Sequence, residues 1–278
     1  MTFAIKILFA LFFILVGTIK TYSQESFQYQ FELAKKLYNE ENYFDAITEF
    51  KRLLFFDEGG KYSYESNRLI GLSYKEGAKF SDAIHFLTLA EMNATTNQQM
   101  FDSKIEVIKI NILRRTTERS LSLLNDLKKD ERFNDRINEI NYWTGWANIF
   151  ADDWEKAALS FNGHNPELSA FCDSVNCDFY NVTLAKTLSI VPGMGQFYTG
   201  EYVSGLISIG WNVLWGYLTI NAFNEDRIFD GVMIGTLLWW RFYNGNLQNA
   251  EKFAQQKNLE KTNSALRYLQ NSYIGNKP

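Results

Sequence analysis

The chain is poor in the residues that most chemistry needs. Among its 278 residues there are two histidines, two cysteines and three prolines. His85 and His164 have no nucleophile in an evident motif beside them, and two cysteines without a nearby histidine make a poor metal site. No catalytic residue, no metal and no cofactor is therefore expected. Three prolines and no Gly/Ser-rich linker exclude a many-turned β fold and leave an all-α chain of mostly continuous helix. A formal net charge of -4 supplies no concentrated basic face, which excludes nucleic acid as an expected partner. Carboxylates are plentiful, yet they lie on solvated helix surfaces and no pair is set up for acid and base work. What is abundant is apolar: 46% of residues are hydrophobic and 16% aromatic, enough to build a sizeable core.

The first residues read as a leader. Lys6 is followed by the apolar run Ile7 to Val16, and Ser23 stands before Gln24, so residues 1–23 are expected to be a cleaved secretory signal. A retained anchor helix is the other reading. No cysteine follows the run, which argues against a lipid anchor.

Residues 24–165 repeat. Asn42-Tyr43-Phe44-Asp45-Ala46 is echoed by Lys79-Phe80-Ser81-Asp82-Ala83 and by Asp153-Trp154-Glu155-Lys156-Ala157, with the weaker Arg119-Ser120-Leu121 filling the gap, so the step is 37 residues. A period of that size means helix pairs stacked as a solenoid. Twelve residues before each marker stand Ala34, Gly71, Ile108 and Gly145. Small residues on both helices let the backbones approach, so Ala34, Ala46, Gly71, Ala83, Gly145 and Ala157 are the expected packing positions.

The pattern resembles the tetratricopeptide repeat family over four units of about 37 residues. Unit three departs from it, with Ile108 at a small position and Thr117 in place of the aromatic. The resemblance implies that the first helices of the pairs line a groove for a protein or peptide partner. By helical phase Lys35, Tyr38, Arg68, Lys75, Lys109, Tyr142 and Trp146 face that groove, giving a basic surface with an aromatic end suited to an acidic or extended segment. Ordinary solvated surface is the alternative for these residues.

Residues 166–181 read as a linker. They hold Cys172 and Cys177, and in an exported protein an even cysteine count reads as a disulfide, here closing a small loop.

Residues 182–257 read as a membrane module. Val203 to Phe223 is apolar for about 21 residues, roughly 31 Å as a helix, and after a short acidic break Ile228 to Tyr243 is apolar again for about 16, roughly 24 Å. The pair is expected to form a helical hairpin, spanning fully or lying shallow, with a polar helical tail at 258–278. Phe197, Tyr198 and Tyr202 at one end and Trp239, Trp240 and Tyr243 on the second segment read as aromatic belts, and Asp230 and Arg241 as charges that reach the headgroups. Pro192-Gly193-Met194-Gly195 has neither the third glycine nor the lysine of a phosphate loop. Ser204, Ser208, Asn212 and Gly216 form a small, polar stripe, and Gly231 and Gly235 answer it on the second helix, so the seam is expected to bring Ser208 near Gly235. The run from Pro192 to Gly200, the apolar helix after it and the Tyr243-Asn244-Gly245-Asn246 close resemble the two-transmembrane-helix domains that follow tetratricopeptide repeats in exported proteins of Bacteroidetes-type bacteria. That resemblance implies contact with membrane lipid and transfers no activity.

Two functions are compatible with this reading. One is a membrane-tethered scaffold in the cell envelope, its repeats facing the periplasm from the inner membrane and binding a protein partner; the other is a membrane module assisting insertion, transport or channel formation, regulated by the repeats. The acidic turn Asn224 to Arg227 gives the orientation no support from the positive-inside rule.

Overall fold

The computed structural model describes residues 26–278, and the expected leader lies outside them. The described residues form helices and no strand. They divide into two units, one ending at Pro166 and one running from Glu167 to Lys277.

The first unit is four consecutive helix pairs: α1 (26–39) with α2 (Tyr43–Phe56), α3 (Ser63–Glu76) with α4 (Phe80–Met92), α5 (Asn97–Leu113) with α6 (Thr117–Lys129), and α7 (Ile137–Phe150) with α8 (Trp154–Phe161). Each second helix buries one stripe at i, i+4, i+7, the spacing that keeps residues on one helical face. On α2 the stripe is Ala46, Phe50 and Leu53; on α4, Ala83, Leu87 and Ala90; on α6, Ser120, Leu124 and Leu127. On α8 it is Ala157 and Phe161. Corresponding members stand 37 residues apart, so unit three keeps the register of its neighbours. Its larger Ile108 is fully buried, and Ser120 closes the crossing by donating to the Ile108 carbonyl at 3.5 Å. In unit two the crossing is tight enough that a Cβ on Gly71 would lie 2.7 Å from Leu87 Cγ.

The turn between the helices of each pair repeats as well. Glu41, Ala78, Arg115 and Asp152 are left-handed, with φ of 61°, 54°, 56° and 61°. The next residue returns its N–H to a carbonyl five positions back: Asn42 to Leu37 at 2.9 Å, Lys79 to Tyr74 at 2.8 Å, Thr116 to Asn111 at 2.9 Å and Asp153 to Asn148 at 3.0 Å. This is the Schellman closure of a helix end, which favours glycine at the left-handed position. None of the four positions is glycine, so each carries a steric cost from its Cβ. Ala78→Gly should therefore stabilise the first unit by about 0.5–1 kcal/mol despite the added freedom of the unfolded chain, read as a higher denaturant midpoint; a lower midpoint would contradict the strain.

The second unit holds α9 (Pro166–Cys177), α10 (Val182–Leu188), α11 (Met194–Tyr198), α12 (Tyr202–Asn224) and one uninterrupted helix from Ile228 to Ser272. That last helix begins as α13 (Ile228–Met233), widens to a π-helical segment at Ile234–Trp239 and continues as α14 (Trp240–Ser272). At 1.5 Å per residue it is roughly 65–70 Å long. The helix runs on through the expected close at Tyr243 to Asn246 and takes in the expected polar tail as far as Ser272, with Asn246 buried as a polar anchor. Of the described helices, α12 alone is long and apolar enough to cross a membrane.

The expected disulfide is corrected, and most of the stretch 166–181 is helical. Pro166 starts α9, where a proline fits the first helical turn. Cys172 and Cys177 are both free, Cys172 buried and Cys177 exposed. Five residues on an α-helix turn the side chain by about 500°, which leaves the two thiols on different faces. Burial, with Asp173 beside it, pushes the Cys172 thiol up to about 12. Maleimide at neutral pH should label the native chain once, at Cys177, and label it twice in denaturant without reductant; no labelling in either state would restore the disulfide.

Candidate functional site

The residues expected to face a partner lie on the first helices of the pairs. Lys75 on α3 and Lys109 on α5 both reach Glu106, at 3.5 and 2.6 Å, and Lys109 lies 4.6 Å over the Trp143 ring on α7. One charged ladder therefore links three successive first helices. Its members are mostly shielded, with side-chain exposures of 16–19%. Burial alone would raise the Glu106 carboxyl, but Lys109 and Lys75 outweigh it and hold it below its ordinary value of 4.5.

The expected basic face is thus modified. Phase reasoning found Lys75 and Lys109 but passed over Glu106, which sits one turn before Lys109 on the same side and neutralises half of their charge. Arg68 pairs with Glu65 at 3.6 Å, and Lys35 lies over the Phe31 ring at 5.9 Å. Tyr38 is edge-on to Tyr43. Tyr142 is edge-on to Trp143 and Phe161, whereas Trp146 is buried beside Phe150 in the core and is no part of an open face.

A depressed carboxyl contributes stability that is present above its unfolded value and lost as pH falls through its folded one. Glu106→Gln should therefore destabilise the unit by about 1–2 kcal/mol near pH 7 by leaving two half-buried lysines without their anion. The difference from the unsubstituted chain should shrink below about pH 4.5. Thermal unfolding across pH checks it, and an equal difference at pH 3 and pH 7 would remove Glu106 from the ladder.

The second unit is organised around Asn246. Its Oδ1 accepts from the Gly193 N–H at 3.0 Å and from the Ser208 hydroxyl at 2.7 Å, its Nδ2 donates to the Ser189 carbonyl at 2.6 Å, and its carbonyl accepts from Gln196 Nε2 at 3.1 Å. One buried side chain ties the Pro192 to Gly195 turn, α12 and α14 together. The glycines of that turn serve packing. Gly193 has φ 89°, and a Cβ there would lie 2.7 Å from the Gly205 carbonyl, while a Cβ on Gly195 would strike Ser189 and the Ala185 carbonyl. The N–H of Gly193 is already bonded.

α12 and the helix after it run antiparallel, and their contacts set a register. Phe223 meets Gly231, Thr219 meets Gly235, Gly216 meets Trp239, and Ser208 meets Asn246. The small and polar stripe does face the second helix, but the expected meeting of Ser208 with Gly235 is wrong by 11 residues, roughly 16 Å of helix. The seam runs through Thr219 and Phe223, which the four-residue spacing left out, and in a chain lacking Cys172 and Cys177 a short thiol-reactive crosslinker should bridge Thr219→Cys with Gly235→Cys instead.

Between α12 and α14 lies a recess of about 340 Å³ whose lining includes Gln196, Ser204, Ser208, Asn212, Arg241 and Asn246. Trp211, Trp215 and Phe242 stack beside it, with ring centroids 5.3–6.2 Å apart. Gln196 and Asn212 are 0% and 4% exposed, and their side-chain oxygens have no hydrogen-bond partner among the described residues. The polar residues of this recess other than the stripe were not legible beforehand, because Gln196 and Asn246 lie in different sequence segments and meet only through the turn.

Compared with protein-family models, curated proteins and solved structures, the chain shows no match.

Proposed function

We propose that this protein is a membrane-attached scaffold whose helix-pair repeats, of tetratricopeptide type, present the inner face of their first helices to a protein or peptide partner. The observation that carries the membrane half is the exposure of α12. This helix is apolar along its length, yet few of its residues are buried, which is unlike the core helix of a soluble unit. Leu206, Val213, Tyr217 and Ile220 are each more than 60% exposed, and Ile228 and Phe229 beyond the turn add to the same apolar surface. Leaving such a surface in water is unfavourable by about 25 cal/mol per Å², and a bilayer removes that cost.

Support for the partner half comes from the ladder Lys75, Glu106, Lys109 and Trp143. It combines two cations, one anion and an aromatic face in a row across three helices, a suitable bed for an extended segment carrying acidic residues. With residues 1–23 acting as an export signal, this face lies in the cell envelope, on the periplasmic side of the inner membrane. The second reading, a membrane module regulated by the repeats, is favoured by the polar recess of the second unit.

Two measurements on the full chain test the proposal. It should stay with membranes through alkaline carbonate, and a defined partner captured by the chain should be lost by Lys75→Glu with Lys109→Glu. Release into the soluble fraction would defeat the membrane half. A partner retained by the charge-reversed chain would move the binding face elsewhere.

A further inference from the structure

We propose that the recess between α12 and α14 is a binding site for the headgroup of a phospholipid that bears both a phosphate and hydrogen-bond donors, such as an ethanolamine headgroup. The inference rests on the membrane reading of α12 and goes beyond it by naming a ligand and its contacts.

The recess contains unmet chemistry of two kinds. Asn212 donates its Nδ2 to the Ser208 carbonyl at 2.8 Å, and Gln196 donates its Nε2 to the Asn246 carbonyl. Those two bonds fix which end of each amide is oxygen. What remains on both residues is a buried acceptor without a donor. A buried acceptor left unpaired costs about 1–3 kcal/mol, so the recess favours an occupant with N–H or O–H groups. Arg241, on the same lining, is in no ion pair among the described residues. Its guanidinium is suited to a phosphate, which it can hold with two parallel hydrogen bonds.

Position along the helix selects a lipid over a soluble phosphate. Arg241 lies 14 residues, or about 21 Å, beyond the charged turn at Arg227, whereas the hydrocarbon core is about 30 Å deep. With that turn at one face of the bilayer, Arg241 lies about 9 Å inside the other, within reach of the headgroup layer by its own long side chain. The exposed flank beside the recess is apolar, with Leu206, Ile207 and Trp211 on α12 and Phe242 on α14, a surface along which acyl chains pack. An ionisable residue at this depth, facing amides, marks a site for a polar ligand.

The test uses the full-length chain in detergent and short-chain phospholipids, with binding read by native mass spectrometry and by the change in tryptophan fluorescence. Phosphatidylethanolamine has the phosphate and N–H donors; phosphatidylcholine has the same phosphate and no N–H. The unsubstituted chain should bind the first about five- to tenfold more tightly, the equivalent of one hydrogen bond. Asn212→Leu should reduce that preference to about twofold or less while leaving phosphatidylcholine binding unchanged. Arg241→Gln should weaken both lipids by about tenfold or more. Equal binding of the two lipids by the unsubstituted chain, or unchanged binding in Arg241→Gln, would overturn the site. Free phosphoethanolamine binding as tightly as the lipid would overturn the lipid assignment. Carbonate extraction is a separate readout, so loss of the membrane reading is distinguishable from loss of the site.

Discussion

A chain carrying Gly145→Leu should lose the fourth helix pair. A Cβ on Gly145 would run into the ring of Phe161, and that ring is fully buried. Replacing a helical glycine gains about 1 kcal/mol of helix propensity. The clash outweighs it: overpacking a closed site costs about 1–3 kcal/mol or more, and leucine adds three carbons beyond the Cβ. The expected net loss is at least about 2 kcal/mol. Phe161→Ala alone should cost about 3–5 kcal/mol by opening a cavity. The double variant should cost less than the two together, by about 1–2 kcal/mol, because each change fills or empties the same space. Chemical denaturation of the four chains measures the coupling, and strictly additive losses would mean that Gly145 and Phe161 do not meet.

Asn246→Leu should be the most damaging single change in the second unit. It strands the Gly193 N–H and the Ser189 carbonyl and takes a partner from Ser208. Two buried groups left unpaired cost about 2–5 kcal/mol together. Ser208→Ala, by contrast, removes one donor from an Asn246 oxygen that keeps its bond to Gly193, and should cost about 0.5–1.5 kcal/mol. Limited proteolysis with sites read between Val182 and Tyr202 follows the release of the turn. If the two variants are cut at the same rate, Asn246 does not organise this unit.

Both changes act where sequence reasoning and tertiary structure meet differently. The 37-residue step was legible because one small residue recurs on each second helix, and the stripe behind it follows from 3.6 residues per turn. The left-handed turn residues Glu41, Ala78, Arg115 and Asp152 fall in the same period, yet they share no side-chain chemistry, so nothing in their identity announces the turn. The cysteine spacing suggested a staple because spacing alone does not show that α9 points the two thiols apart.

By itself, then, the sequence determined the helical class, the repeat and its crossing positions, and the apolar helix α12, since these depend on local periodicity and composition. Tertiary structure alone decided the rest: Glu106 between two lysines, Gly231 under Phe223, and Asn246 joining Ser189, Gly193 and Ser208. Those contacts join residues 8 to 57 positions apart in the helix packing of the second unit and 31 across the repeats. Helical phase tells which side a residue faces but not how far one helix slides along another. That sliding is set by which side chains interlock, and it moved the seam by about three turns.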